Sequence, residues 1–252
     1  MRIKRSYKTE FVDAVCDQYI TGTSLRYLAR HHQMPIATLH NWFSKRGILR
    51  RLKLIKGVKT KDPYKIGLFI GMWAGDGSKI VGKNSLYVVR FHFHSEDVYS
   101  QNLAFDLITR LFGSKINVVI GPGKKYEIKT YSKFIYNFLS DYLHCTSDKC
   151  GTVKLRHRFR KYPGRFVKGF IKGLAITDGH FGRHFVFCTV STELAKQFKY
   201  ILKYYGFNPK TYLQKRENPK HRPLWSVRLN SDETKVFSKY LGLSKRYAIP
   251  KI

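Results

Sequence analysis

Two aspartates, Asp76 and Asp178, each close an apolar run of helical length in which small residues recur at every fourth position. The runs are 67–77 (GLFIGMWAGDG) and 169–179 (GFIKGLAITDG), and both end in Asp-Gly, where the Gly is a good helix terminator. Small residues at i, i+4 and i+8 form a smooth stripe, so two such helices can pack backbone against backbone. The pattern predicts two paired helices whose terminal carboxylates lie close together.

Paired carboxylates at helix C-termini are costly, because each opposes the helix dipole and the two repel each other. A divalent cation between them removes both penalties. Hard oxygen ligands at a partly open site suit Mg²⁺, with Mn²⁺ as a substitute. Paired metals at such a site serve in-line attack on a phosphodiester. The alternative is two unrelated buried helices that stop at Asp-Gly, a common turn pair, and the second copy weakens it.

The two segments resemble the LAGLIDADG motif of homing endonucleases. Its nine positions correspond to 69–77 and 171–179, with Gly71 and Gly173 as the inner glycines. The resemblance covers roughly residues 66–250. It implies an α+β fold in which two pseudo-symmetric αββαββα halves of one chain form a DNA-binding saddle of antiparallel sheets.

The resemblance also implies metal-dependent cleavage of both strands of a long DNA site. The last-position acids hold the metal in that family, so Asp76 and Asp178 inherit this role. We include the preceding Gly75 and Thr177 in the predicted metal site. Thr177 is a departure, since the family usually has Ala or Gly at this position.

Lys79, His94 and His180 are the candidates for further catalytic groups, because a nuclease must also orient water and neutralise developing charge. The family often places a Lys or Gln on the strand near each acid, and Lys79 lies three residues beyond Asp76. His94 ends the first inner strand, and His180 follows the second Asp-Gly directly. For each histidine a DNA-contact or packing role is equally compatible. Because the candidate auxiliary residues differ between the two halves, we expect the two DNA strands to be cut at unequal rates.

Residues 1–50 predict a three-helix DNA-binding domain. The order Ala29, Leu39, Trp42 resembles the helix-turn-helix of resolvases and transposases, with Gln33 where that pattern usually has Gly. A bundle used for protein contacts is the alternative. The side chains predicted to enter a major groove are Ile36, Thr38, His40, Asn41 and Lys45.

A basic linker is predicted over residues 51–65. The surrounding stretch 46–65 holds eight Lys or Arg and one Asp. We expect the linker region to follow phosphates between two DNA-binding parts, with Arg50, Arg51 and Lys53 as contacts. A solvated connector is the other interpretation.

The remaining 66–252 form the predicted endonuclease domain, with halves of about 66–162 and 163–252. Alternating segments such as 86–95 and 225–230 predict half-buried antiparallel strands with a basic and polar open face. Such a ribbon fits a major groove, although for any single residue a solvated surface charge is as compatible as a contact. The predicted DNA contacts are Arg90, His92, Lys129 and Arg228 on the strands, with Arg216, Lys220 and Arg222 as phosphate contacts in a loop.

Composition limits the class of partner. The 252-residue chain carries 48 Lys and Arg against 16 Asp and Glu, a formal net charge of +32, which indicates nucleic acid. The basic residues do not line one amphipathic helix, no apolar run approaches about 20 residues, and no signal peptide is evident, so neither a membrane nor secretion is expected. Four cysteines are typical of a reducing compartment, such as prokaryotic cytoplasm or nucleoid, or an organelle matrix.

The leading hypothesis is a monomeric, site-specific homing endonuclease, a Mg²⁺-dependent phosphodiester hydrolase that makes double-strand breaks in DNA. The second is an RNA-binding maturase that assists splicing of intron RNA on the same scaffold. The third is a non-cleaving DNA-binding regulator. Retention of both Asp76 and Asp178 argues against the third hypothesis and leaves the second open.

Overall fold

The computed structural model describes residues 7, 9–20, 23, 25–45, 58–60, 62–113, 117–121, 125–145, 149–215 and 222–243. Several predicted contacts lie outside these residues and are not tested, namely Arg50, Arg51, Lys53, Arg216, Lys220 and the side chain of Lys45. No helix among the described residues is long and apolar enough to span a bilayer.

Three short helices form the N-terminal part, as the sequence predicts: α1 (Thr9–Ile20), α2 (Leu25–His31) and α3 (Ile36–Lys45). Their apolar faces meet in a small core of their own, which consists of Val12, Val15, Cys16, Leu28, Ala29, Met34, Leu39 and Phe43. The predicted role of this part in DNA binding stays a prediction.

The turn between α2 and α3 depends on Gln33, which has a φ of 49°. This is the left-handed region that Gly favours, so Gln33 adopts the conformation of the Gly that it replaces. The Met34 N–H donates to the Ala29 carbonyl over 2.8 Å and closes the turn. Pro35 lies one residue before α3, where its carbonyl accepts from the Leu39 N–H over 3.4 Å.

Two glycine-bearing helices, α4 (Pro63–Asp76) and α8 (Gly164–Thr177), pack side by side at the centre of the larger part. A Cβ on Gly71 would lie 3.1 Å from the Cα of Gly173, and one on Gly169 would lie 2.8 Å from the Leu68 nitrogen. Backbone therefore faces backbone, as the stripes of small residues predict. The Asp62 carboxylate caps α4 by accepting from the Tyr64 N–H over 3.0 Å.

Gly77 terminates α4 as its C-cap, as the sequence predicts, whereas α8 is capped by Asp178, the residue before Gly179. Gly77 has an extended backbone (φ −92°) and begins a strand. A Cβ there would lie 2.5 Å from Cγ of Trp73, and one on Gly179 would lie 2.8 Å from a ring carbon of Phe185. Glycine is therefore required for space beside an aromatic ring, and a left-handed φ is not the reason.

The first half builds one antiparallel sheet in the order β1-β2-β4-β3. Its elements are β1 (Gly77–Val81), β2 (Tyr87–His94), α5 (Val98–Phe112), β3 (Asn117–Gly121), β4 (Lys125–Tyr131) and α6 (Lys133–Tyr142). A short connection follows, with β5 (Leu143–His144), α7 (Lys149–Thr152) and β6 (Lys154–Leu155).

The second half repeats this order as β7-β8-β10-β9. Its elements are β7 (Gly179–Phe181), β8 (Phe185–Thr189), α9 (Thr192–Tyr204), β9 (Lys210–Gln214), β10 (Leu224–Leu229) and α10 (Ser231–Leu241). The strands predicted from alternation are present, and the second half repeats the α+β layout of the first.

The registers of the two sheets are the same. Gly77 lies opposite Phe91 in the first sheet, and Gly179 lies opposite Phe187 in the second. Each sheet has one face covered by helices, where Phe91 and Phe187 belong to the buried core. We call the other side the open face. Because β1 and β7 are edge strands that start at the paired helix ends, the two sheets extend outward from this centre.

Candidate active site and DNA-binding faces

The C-terminal ends of α4 and α8 meet, as the stripes of small residues predict. Asp76 is the last residue of α4, and Asp178 follows α8 with its N–H donating to the Leu174 carbonyl over 2.9 Å. A Cβ on Gly75 would lie 3.1 Å from Oδ2 of Asp178. The Asp178 carboxylate therefore lies against the last turn of α4, beside the residue that precedes Asp76. Both aspartates are half-buried.

The departure from the motif at Thr177 has a local explanation. Its hydroxyl donates to the Gly173 carbonyl over 3.1 Å, as a helical threonine often does. Its side chain fills the space that a Cβ on Gly75 would need. Because Gly75 in α4 has no side chain, there is room for the Thr177 side chain in α8, and the two helix ends stay close.

The donor set at these ends fits Mg²⁺. Among the described residues, no group of three or more His, Cys, Asp and Glu is arranged to hold a metal ion. Two carboxylates with remaining positions for water and phosphate are the usual set for Mg²⁺, which keeps part of its hydration. Gly75 has no side-chain donor, so any contribution from that residue would come from its carbonyl.

Lys79 lies on β1, the strand that follows the first acid, as predicted, but its side chain lies on the covered face. Strand alternation after Gly77 puts Ser78 on the open face and Lys79 on the covered face, opposite Val89. The Lys79 ammonium contacts the Ser140 hydroxyl and lies 4.4 Å from the centre of the Tyr136 ring on α6. Burial there lowers the pKa of Lys79. This placement gives no support for Lys79 as the cation beside Asp76.

The two candidate histidines are exposed on the open faces. His94 ends β2 opposite Lys125, and its Nδ1 lies 3.7 Å from a Glu96 oxygen. His180 lies on β7 opposite Val186, in the position that Ser78 has in the first half. Their catalytic roles stay predictions.

A carboxylate that the sequence did not single out organises the first open face. The Glu127 carboxylate on β4 is 17% exposed and lies 2.6 Å from Lys129 Nζ, 3.3 Å from His92 Nδ1 and 3.8 Å from Arg90 Nη1. Arg90, His92 and Lys129 are three of the predicted DNA contacts. Glu127 therefore holds them together as one cluster.

The cluster extends to the strand that follows the first acid. Ser78 Oγ lies 2.8 Å from Nε2 of His92, whose other ring nitrogen faces Glu127. Ser78 is two residues beyond Asp76, so the series of side-chain contacts from Glu127 through His92 to Ser78 ends near the start of β1. In the sequence, Glu127 is visible only as a single acidic residue on a basic strand face. Its partners could not be identified because they depend on the register between β2 and β4.

The second open face has a different composition. Arg228 lies over the Tyr212 ring at 5.0 Å, and a cavity of about 290 Å³ adjoins this pair. Its lining is His184, Asn208, Lys210, Tyr212, Arg228, Leu229 and Asn230. Of these, only Arg228 was a predicted contact; Lys210 and Tyr212 on β9 were missed because β9 alternates weakly. Cys188 replaces His92 here, and burial raises the pKa of its thiol.

The N-terminal candidates on α3 are turned outward. Ile36 is 47% exposed, His40 and Asn41 are exposed, and Thr38 is half-buried. Arg222, at the end of the second-half loop, is exposed as well. This orientation is compatible with the predicted groove contacts, which stay predictions.

The comparisons with known proteins agree with this fold. Residues 165–242 match a family model described as a LAGLIDADG-like domain. No curated protein sequence matches the chain.

Solved structures with a similar fold include two of the homing endonuclease I-DmoI. Mesophilic variants of I-DmoI share 22% identity, with a TM-score of 0.56 over 73% of this chain and 97% of theirs. I-DmoI in complex with DNA and Mn shares 21%, with a TM-score of 0.56 over 72% and 97%. Full-length DUF199/WhiA from Thermatoga maritima shares 12%, with a TM-score of 0.52 over 79% and 61%. The chain thus shares its fold with these solved structures, and the match to the LAGLIDADG-like model lies in its second half.

Proposed function

We propose that this protein is a site-specific DNA endonuclease that makes Mg²⁺-dependent double-strand breaks. The observation that carries the proposal is the Asp178 carboxylate against Gly75, the residue directly before Asp76. Basic open faces extend to either side of it. The I-DmoI structures with DNA and with Mn²⁺ or Mg²⁺ support the same class of activity for a similar fold.

In this proposal, Asp76 and Asp178 hold Mg²⁺, which supplies charge stabilisation at the scissile phosphates and activates water. The open faces hold the duplex in its major grooves. Arg90 and Lys129 contact one half of the target, and Arg228 contacts the other. The exposed residues of α3 lengthen the footprint, and one chain acts as a monomer because it carries both halves.

The test begins with a target selected by the wild-type protein from a randomised duplex library and cloned into a plasmid. Asp76→Asn and Asp178→Asn should each slow linearisation in Mg²⁺ by at least about 100-fold, the scale for removing an electrostatic catalytic group. Duplex affinity should stay within about threefold. Asp141→Asn, which changes an exposed carboxyl on α6, is the matched control and should cut normally.

Two outcomes contradict the proposal. Normal cutting by both variants means that the acid pair is not the active centre. Tight and specific binding by the wild type with no cutting in Mg²⁺ or Mn²⁺ points to a non-cleaving DNA-binding protein instead.

A further inference from the structure

A second cavity, of about 540 Å³, lies on the outer side of the second half. Its lining combines cations and aromatic rings and contains no acidic residue. The lining residues are Arg158, Phe159, Arg160, Gln197, Tyr200, Lys203 and Tyr204. We call this cavity the outer groove. It is not part of the proposed cleavage site.

One wall of the outer groove is a basic segment of the connection that leads from the first half to α8. Residues 154–161 (KLRHRFRK) carry five Lys or Arg. The Gln197 amide fixes this segment to α9, since it accepts from the Leu155 N–H over 2.8 Å and donates to the Leu155 carbonyl over 3.2 Å. Lys154 adds an ion pair with Glu193 at 3.5 Å. The cations are therefore presented on an anchored backbone.

The other wall is a set of aromatic rings on α9. Tyr200 is 62% exposed and Tyr204 is 37% exposed. The Arg160 guanidinium lies 5.0 Å from the Tyr204 ring centre, and Phe159 meets the same ring edge-on at 5.3 Å. Exposed rings with flanking cations are the arrangement on which unpaired bases stack.

The outer groove faces away from the proposed duplex site. The buried side of α9 packs on the covered face of the second sheet, where the rings of Phe198 and Phe187 are 4.3 Å apart. Arg228 and Cys188 lie on the opposite face of that sheet. A duplex on the open face is thus separated from Tyr200 by the sheet and the helix.

We propose that the outer groove binds single-stranded nucleic acid, with bases stacked on Tyr200 and Tyr204 and phosphates held by Arg158, Arg160 and Lys203. A duplex would use the cations but not the rings, because its base faces are already stacked. An acidic peptide would likewise gain little from the rings. The rings therefore select an unpaired strand, whether RNA or DNA.

The experiment uses the full-length protein with its open face saturated by unlabelled duplex. Labelled oligo-U and oligo-dT of about 12 nucleotides, within the site size of such grooves, report binding by anisotropy. The Tyr200→Ala/Tyr204→Ala variant should bind at least tenfold more weakly, since stacking on each ring contributes on this scale. Phe105→Ala, at a 46% exposed ring on α5 of the first half, should leave binding unchanged.

Two further readouts separate the outer groove from general charge. Three phosphate contacts predict a slope of about −2 for log affinity against log salt, and Arg160→Gln should reduce its magnitude by about 0.7. Photocrosslinking with 5-iodouridine should map to Tyr200 or Tyr204. Stronger binding of oligo-U or of oligo-dT identifies the natural strand.

The proposal is overturned if the double tyrosine variant binds both oligonucleotides as the wild type does, or if the crosslinks map only elsewhere. It is also overturned if saturating duplex displaces the oligonucleotides completely. Duplex affinity of the tyrosine variant is the folding control and should match the wild type.

Discussion

The two halves share one framework but present different chemistry on it. With Gly77 and Gly179 in register, each strand of the first sheet has a counterpart in the second. Glu127 of the first half corresponds to Ser226, and His92 corresponds to Cys188. The first open face is a connected cluster around a carboxylate, whereas the second carries Arg228 on a tyrosine ring.

This difference separates the residue positions that the packing of the fold fixes from the open-face positions that can vary between the halves. Some framework positions agree in both halves because packing dictates them, namely Gly67 with Gly169 and Gly71 with Gly173 between α4 and α8, and Phe91 with Phe187 on the covered faces. The open-face positions differ, and under the proposed function each sheet would face different edges of a non-palindromic duplex. We therefore expect framework changes to act on both halves together and open-face changes to act on one.

The largest effect should come from the shared helix pair. In Gly71→Ala, the new Cβ meets the Phe170 carbonyl and lies 3.1 Å from the Gly173 Cα, and backbone cannot rotate away. We expect the free energy of unfolding to fall by about 3 kcal/mol or more, measured by urea denaturation. Gly82→Ala is the control, because its nearest neighbour would be 3.6 Å away. Equal stability of both variants would contradict backbone-to-backbone packing.

The asymmetric end of the helix pair offers a reciprocal test. Gly75→Ala should cost about 1–3 kcal/mol, because its Cβ would lie 2.8 Å from Thr177 Cβ. Gly75→Ala/Thr177→Gly moves the side chain to the other helix, and should recover most of that loss apart from about 1 kcal/mol for the new helical Gly. The double-mutant cycle measures the coupling. Strictly additive effects would mean that the two residues do not share one space.

The helix pair and most strands were predictable from the sequence because each depends on a local period. Small residues at every fourth position predicted the contact between α4 and α8, and alternation over 86–95 predicted β2. The left-handed backbone conformation of Gln33 was not predictable, since for a non-glycine residue it is fixed by the packing of the helices on either side.

Two properties of the strands limited the prediction of the site, namely which face each side chain takes and which residues pair across neighbouring strands. One residue decides which face a strand side chain takes, so Lys79 was placed beside Asp76 when it lies on the covered face. The partners of Glu127 come from two strands, and the pairing that brings them together is not a local property. The outer groove lies between residues 154–161 and α9, which are far apart in the chain. No sequence periodicity within either segment indicates that they form one groove.

The charge cluster predicts a distinct response of the first open face. Glu127→Gln removes the carboxylate that competes with phosphate for Arg90 and Lys129. We expect the slope of log affinity against log salt for random duplex to steepen by about 1, because one more cation is released to phosphate. Preference for the selected target should fall by about five- to tenfold, since the contacts are no longer held in place.

Two matched variants sharpen that prediction. Glu10→Gln, at an exposed position on α1, changes net charge equally and should leave both quantities unchanged. Arg228→Gln in the second half should make the slope shallower by about 1, because Arg228 forms no ion pair with a carboxylate among the residues that the structure describes. If Glu127→Gln and Glu10→Gln behave alike, the cluster does not organise recognition.

The smallest effect is expected at Lys79, whose counterpart in the second half is the buried Phe181. Lys79→Met keeps the aliphatic stem beside Tyr136 and removes an ammonium whose pKa is already lowered by burial. Cleavage of the selected plasmid target should stay within about threefold of the wild type, the change expected for a group that touches neither substrate nor metal. Lys129→Met, on the open face, should weaken duplex binding under the same conditions. A 100-fold loss of cleavage in Lys79→Met with duplex binding intact would instead make Lys79 a catalytic cation of the first half, and the halves would then differ in chemistry as well as in recognition.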